Sequence, residues 1–162
     1  MIAREHGWAE FISIQNHYNL IYREEEREMM LLLEEEKIVM TPYSALAAGR
    51  LSRLPDAEET LRVKDDPNSN FKYDHCKDID APIIKRVKEV ADKMKISMTL
   101  VALAWIYSKP LVVSPVLGFT KMSHLDEAMK VFNIKLSEED IKYLEELYIP
   151  HPTIGALKKP TK

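Results

Sequence analysis

Residues 11–50 read FISIQNHYNL IYREEEREMM LLLEEEKIVM TPYSALAAGR, and the reading of this stretch decides the fold. It opens on FISIQ (11–15), which is short, apolar and partly β-branched, the pattern of a buried strand. Residues 23–37 are rich in Glu, Met and Leu, all good helix formers, and Met29, Met30, Leu32 and Leu33 can share one apolar face. IVMT (38–41) is a second strand, closed by Pro42, which cannot donate to a ladder. A buried strand, a helix and another buried strand form a βα unit, and such units build parallel sheets covered by helices.

The same grammar extends outward. Upstream, residues 1–6 suit a short helix that Gly7 can cap. Downstream, residues 43–81 hold Pro55, Pro67 and scattered charges without a sustained period, a long excursion with a short helical turn. Asp80 offers an N-cap for a helix over 82–95, whose stripe is Ile83, Val87, Val90, Ala91 and Met94. Ser97 opens another helix to residue 108, and LVVSP (111–115) is a third strand. Ser123 with Asp126 has capping-box spacing for a helix ending near residue 131. Ser137 with Asp140 repeats that spacing for a last helix through residue 147, and the Pro-rich tail from residue 148 is irregular. A three-stranded parallel sheet leaves two open edges, which calls for partners.

Composition bounds the function. The chain has 162 residues, 46% hydrophobic and 30% charged, with net charge -3 and one cysteine. That excludes an intrachain disulfide framework and a site of several thiolates. The mild negative charge is no electrostatic footprint for nucleic acid. The longest apolar run, around residues 100–106, is too short to span a bilayer, and MIAREHGWAEF lacks the apolar core of a leader, so the expectation is a cytoplasmic protein with no membrane partner. A complete eight-unit (β/α) barrel takes roughly 200–250 residues, so these residues can hold only part of one.

In parallel α/β folds, ligands sit at the C-terminal ends of strands. Three clusters fall there: Gln15 to Asn19, then Tyr43, Ser44, Leu46, Gly49 and Arg50, then Gly118, Thr120 and Lys121. Gly118 lets backbone approach a ligand closely, and Lys121 ahead of a helix can hold a phosphate. The competing reading is a polar loop with a solvated lysine. No His, Cys or carboxylate spacing fits a metal site. His17 with Tyr18, and Asp74 with His75 and Cys76, read as solvated loop residues; Trp105 and Met98 read as core; the charge run 23–28 reads as a solvated helix face with Arg23–Glu26 and Glu24–Arg27 pairs.

Three segments together resemble the last three βα units of the aldo-keto reductases, (β/α) barrels that bind NADP(H) without a Rossmann motif. FISIQNHYNLIYREEEREMM resembles the sixth strand and helix, and IVMTPYSALAAGRLSR the seventh strand and its loop. VALAWIYSKPLVVSPVLGFTKMSHLDEAM resembles the seventh helix, the eighth strand and the coenzyme-phosphate loop. TLRVKDDPNSNFKY and YLEELYIPHP are similar to the aryl-alcohol-dehydrogenase-like branch. The resemblance implies an α/β fold, a partial (β/α)8 TIM barrel spanning residues 1–162, in the C-terminal part of a coenzyme-dependent oxidoreductase.

It also implies roles. Gln15 matches the glutamine that binds the nicotinamide carboxamide, and Tyr43 the aromatic that stacks on its ring. Ser44, Leu46 and Gly49 match the loop around the pyrophosphate; Gly118, Phe119, Thr120 and Lys121 match the grip on the adenosine 2′-phosphate. His124 falls where the family often has Gln or Arg against that phosphate or the adenine, and Glu127 near the adenine amino group, while Arg50 and Arg62 lie on the long loop where they could touch phosphate. Three positions depart from the family: Ala128 replaces an Asn that contacts adenine, Leu117 a common Pro, and Glu36-Lys37 a helix-ending Gly. The family's catalytic Asp, Tyr, Lys and His come from earlier strands with no counterpart in these residues. The expectation is therefore a coenzyme-binding part, inactive alone, that serves an enzyme of aldehydes, ketones or alcohols. The alternatives are a non-catalytic module that pairs with itself or with another barrel through its open sheet edges, or a fragment without independent function.

Overall fold

The computed structural model describes residues 2–56 and 71–152. Its elements in chain order are α1 (Ile2–Glu5), β1 (Ser13–Ile14), α2 (Met29–Glu36), β2 (Val39–Met40), α3 (Lys77–Met94), α4 (Met98–Tyr107), α5 (Met122–Ala128) and α6 (Glu138–Glu145). β1 and β2 pair in parallel, Ser13 with Val39 and Ile14 with Met40. Residues 111–116 run along the other edge of β2 through parallel bridges at Met40–Val112 and Tyr43–Val116. The amides of Met40, Val113 and Val116 carry that pairing, donating to Leu111, Met40 and Pro42 carbonyls at 2.7, 3.1 and 2.8 Å. The three strands expected from sequence are therefore side by side in chain order, each shorter than its apolar run.

Alternation divides the sheet into two faces. Ile14, Met40 and Val112 share register and point at the helices, and Met40 is wholly buried. The opposite face is open among the described residues: Phe11 is 86% exposed and Val113 52%. α4 is the spine beneath the covered face. Every residue from Leu100 to Ile106 is buried, the signature of a helix apolar all round. Trp105, wholly buried, places its Nε1 2.8 Å from Glu145 Oε1 and leans on Tyr18. α3 contributes the expected stripe, with Ile83, Val87, Val90 and Ala91 buried. No helix among the described residues is long and apolar enough to cross a membrane.

Helix ends follow local chemistry. Ser97 and Ser137 cap α4 and α6 with side chains that accept from Leu100 and Asp140 amides, at 3.3 and 3.1 Å. Gly7 turns left-handed after α1, as expected. Lys37 does so after α2 (φ 57), the position at which the resemblance leads one to expect glycine. Four expectations need correction. The helix expected over 23–37 is a 3-10 turn (Glu24–Glu26) followed by α2. In α2 Leu33 is buried with Met29 and Met30 beside it, so the period turns Leu32 outward, 50% exposed. Asp80 is not an N-cap, because the 3-10 turn Asp74–Cys76 leads straight into α3 and its carboxylate is buried. Ser123 lies inside α5, whose N-cap Lys121 makes no side-chain bond.

Left-handed backbone costs a side-chain-bearing residue about 1–2 kcal/mol, partly returned as unfolded-state entropy when glycine replaces it. Lys37→Gly is expected to raise unfolding stability by about 0.5–1 kcal/mol, read from urea midpoints at unchanged slope.

Candidate functional site

Parallel pairing carries three loops to one end of the sheet. The Tyr43 amide donates to the Asn16 carbonyl at 3.0 Å, and Val116 donates to Pro42. Residues 15–17, 43–44 and 116–121 thus leave the sheet next to one another. Gln15 is exposed and Tyr43 half-buried, with one ring contact to His17 at 5.3 Å and 19°. The Lys72 ammonium lies 4.9 Å from the centre of the Tyr43 ring. Burial, followed by the Glu25 charge, raises the Tyr43 pKa, so its hydroxyl stays protonated near neutrality. Gly118, Phe119, Thr120, Lys121 and His124 are exposed, and Glu127 is half-buried on the same short helix. Ala128, where the family has Asn, is buried against the core.

The loop after β2 turns sharply. Ser44, Ala47, Ala48 and Gly49 all have positive φ, at 58, 48, 54 and 89°. Only glycine adopts this freely, so the other three must be held. The Ser44 carbonyl accepts from the Ala47 amide at 2.8 Å and from Asn19 Nδ2 at 2.9 Å. Ala45, Ala47 and Leu51 are buried and anchor the turn in the core. Arg50, which the resemblance puts within reach of phosphate, has its Nη2 2.6 Å from Asp74 Oδ1 and its guanidinium 5.0 Å from the Tyr73 ring centre. The pair ties the loop to the chain ahead of α3. Arg62 lies outside the described residues.

Behind Tyr43 is a buried network that pattern reading missed. His17 and Tyr18, expected to be solvated, are 5% and 0% exposed. Asn19 Nδ2 donates to the Tyr73 hydroxyl at 3.1 Å, and that hydroxyl lies 2.7 Å from His17 Nε2. Asn19 Oδ1 accepts from the Ile21 amide at 3.1 Å. Burial, then the charges of Lys72 and His151, lowers the His17 pKa to about 4, so the ring is neutral at physiological pH. His17 Nδ1, on the other side of the ring, is buried without a hydrogen-bond partner among the described residues. Tyr22 stacks on the same ring at 4.2 Å. The charge run is solvated only in part: Arg27 and Glu28 are exposed, but Arg23 is 11% exposed at its side chain and lies over Trp105 and Tyr148, and both expected ion pairs form. No group of three His, Cys, Asp or Glu that could hold a metal occurs among the described residues. The only sequence signal for the network was an Asn and a His just past a strand end.

Comparison with known proteins covers almost the whole chain. The model of the aldo/keto reductase family matches residues 1–149. An aldo-keto reductase of Fusarium vanettenii is 39% identical over 155 residues, covering 95% of this chain and 41% of its own length. A Schizosaccharomyces pombe protein carrying an aryl-alcohol dehydrogenase name is 43% identical over 159 residues, covering 96% and 43%. The versiconal hemiacetal acetate reductase of Aspergillus parasiticus is 42% identical over 155 residues, covering 93% and 45%. The chain thus spans less than half the length of these relatives. Among solved structures, glycerol dehydrogenase from Gluconobacter oxydans superposes with TM-score 0.72 at 22% identity, over 94% of this chain and 48% of that one. That likeness shows the fold.

Asn19→Ala would leave the Ile21 amide, the Ser44 carbonyl and the Tyr73 hydroxyl each short of one partner. At about 1–3 kcal/mol for a buried polar group left unsatisfied, a loss of roughly 3 kcal/mol is expected, measured by urea unfolding.

Proposed function

The chain belongs to the aldo/keto reductase family, and on that premise we propose that it is the coenzyme-binding, C-terminal part of an NADP(H)-dependent oxidoreductase acting on aldehydes, ketones or alcohols. In this reading its three βα units are the last three of an eight-unit barrel. The observation that carries the proposal is the half-exposed Tyr43 ring at the C-terminal end of the central strand, next to Gln15 and the exposed loop from Gly118 to Lys121. The fit to a nicotinamide dinucleotide is chemical. An aromatic face, a free carboxamide, a tight backbone turn and an exposed cation are what its ring, amide, pyrophosphate and extra phosphate need, respectively.

When bound, NADPH supplies the hydride for carbonyl reduction. The chain's own residues bind and orient. Gln15 hydrogen-bonds the nicotinamide carboxamide, and Tyr43 stacks on its ring, fixing which face is presented. The turn at Ser44, Leu46 and Gly49 wraps the pyrophosphate. Thr120, Lys121 and His124 hold the 2′-phosphate, with Gly118 and Phe119 shaping the approach. Glu127 accepts from the adenine amino group. The family's proton donor and its supporting residues have no match in these residues, so the 162-residue chain alone is inactive in this reading. A second reading, self-association through the sheet, is favoured by one observation: Phe11 and Ile12 are 86% and 78% exposed at the edge strand.

Titration of NADPH fluorescence with the purified chain, alone and with a complementary N-terminal half, tests the proposal. Binding is expected, weakened about tenfold by Tyr43→Ala, or about 1.4 kcal/mol. Lys121→Ala should shrink the preference for NADPH over NADH by about tenfold. Absence of binding in both arrangements would refute the proposal, and carbonyl turnover by the chain alone would refute its inactivity. Sedimentation separates the readings: a concentration-dependent dimer that dissociates in Phe11→Ser supports self-pairing, and a monomer at all concentrations removes it.

A further inference from the structure

The last described stretch is held more firmly than an irregular tail requires. Residues 148–152 have no regular structure, yet the His151 ring is almost completely buried and engaged at both nitrogens. Nδ1 is 2.7 Å from the Ile149 carbonyl oxygen and Nε2 is 2.8 Å from Asp80 Oδ1. A carbonyl only accepts, so Nδ1 carries a hydrogen. Nε2 and Asp80 then share one further proton, as imidazolium with carboxylate or as imidazole with carboxylic acid. Asp80 is 1% exposed, and its Oδ2 has no hydrogen-bond partner. Breaking such a pair strands a polar group in the core. The Tyr148 hydroxyl and the His151 amide both reach Glu24 Oε1 at 2.7 Å, and the Arg23 amide donates to the Tyr148 hydroxyl. The strap therefore joins the turn after β1 to the first turns of α3.

His151 also ends a column of rings that runs to the candidate site. Tyr148 stacks on it at 5.4 Å and Tyr22 meets it edge-on at 6.2 Å. Tyr22 stacks on His17, and His17 on Tyr43. Tyr22 and His17 are 3% and 5% exposed, so neither has room to move alone. We propose that the His151–Asp80 latch is a positioning device for Tyr43, holding the Tyr22–His17 pair against its ring. Asp80 and His151 are positioning residues, and the strap is the part that can let go. The effect on coenzyme affinity rests on the function proposed above; the mechanical coupling does not.

The latch is also sensitive to pH. Burial alone would lower the His151 pKa, but the hydrogen bond and charge of Asp80, helped by Ile149 and Glu24, raise it overall. Burial raises that of Asp80, against the pull of His151, His75 and Arg50. Both folded groups keep their protons to higher pH than the unfolded chain does. For His151 the contribution is complete below the ordinary value of 6.5 and is lost as pH rises through the raised one. His17, beyond Tyr22, is already neutral in that range.

The test uses the full chain labelled with 3-fluorotyrosine, the Tyr43 resonance being assigned by Tyr43→Phe. Strap release is read from hydrogen exchange of the His151 amide, and NADPH affinity is measured in parallel. Asp80→Ala, which removes the partner of Nε2 altogether, should speed that exchange at least tenfold, shift the Tyr43 resonance and weaken NADPH three- to tenfold. Tyr22→Leu should shift the resonance while leaving the exchange unchanged. Raising the pH of the wild type, with the exchange corrected for its own base-catalysed rise, should reproduce the effect of Asp80→Ala without any substitution, which keeps the test valid if a variant does not fold. A Tyr43 resonance that stays in place while the strap exchanges freely overturns the coupling. A wild type that shows the coupling but binds no NADPH overturns the functional reading and leaves the coupling standing.

Discussion

One buried carboxamide joins three separate stretches of this chain. Asn19 is wholly buried, and its side chain bonds the Ile21 amide, the Ser44 carbonyl and the Tyr73 hydroxyl. The first is in the turn after β1, the second in the strained loop after β2, the third just ahead of α3. Without it the Ser44 carbonyl, at a residue of positive φ, loses a side-chain donor, and Tyr73 loses a donor that orients its hydroxyl towards His17. A polar group at that depth is costly unless every atom is used, and here both ends are used. The loop that the candidate site needs is thus held by a buried residue behind it.

The sheet explains why the site is at one end. Strands in chain order, all parallel, send all their following loops in the same direction. The covered face is filled by α4, a helix too apolar to belong anywhere else. The open face keeps Phe11 and Val113 in solvent. Apolar side chains left uncovered on a sheet face are an association surface unless further strands or helices take them.

Local chemistry made much of this legible in the sequence. The alternation of short apolar runs with helical periods located all three strands, and the Ser97 and Ser137 caps start their helices where their spacing places them. Trp105 in an apolar period is core, as expected. What failed depended on distance. Asp80 looks like a cap because its partner, His151, is 71 residues away. His17 looks like a loop residue because the hydroxyl that satisfies it belongs to Tyr73, 56 residues on. Ligand roles for Gln15, Tyr43 and the loop from Gly118 came from family resemblance; residue pattern alone left a solvated loop open as the alternative for Gly118 to Lys121. Buried polar pairs across long separations leave no periodic trace, whereas caps and stripes do.

Backbone amide chemical-shift mapping of the isotope-labelled chain on addition of NADPH tests the central claim most directly. The account predicts shifts concentrated at Gln15, Tyr43, Ser44 and the residues from Gly118 to His124, with the outer faces of α3 and α6 unmoved. Shifts centred on those outer faces, or none at saturating NADPH, would contradict it.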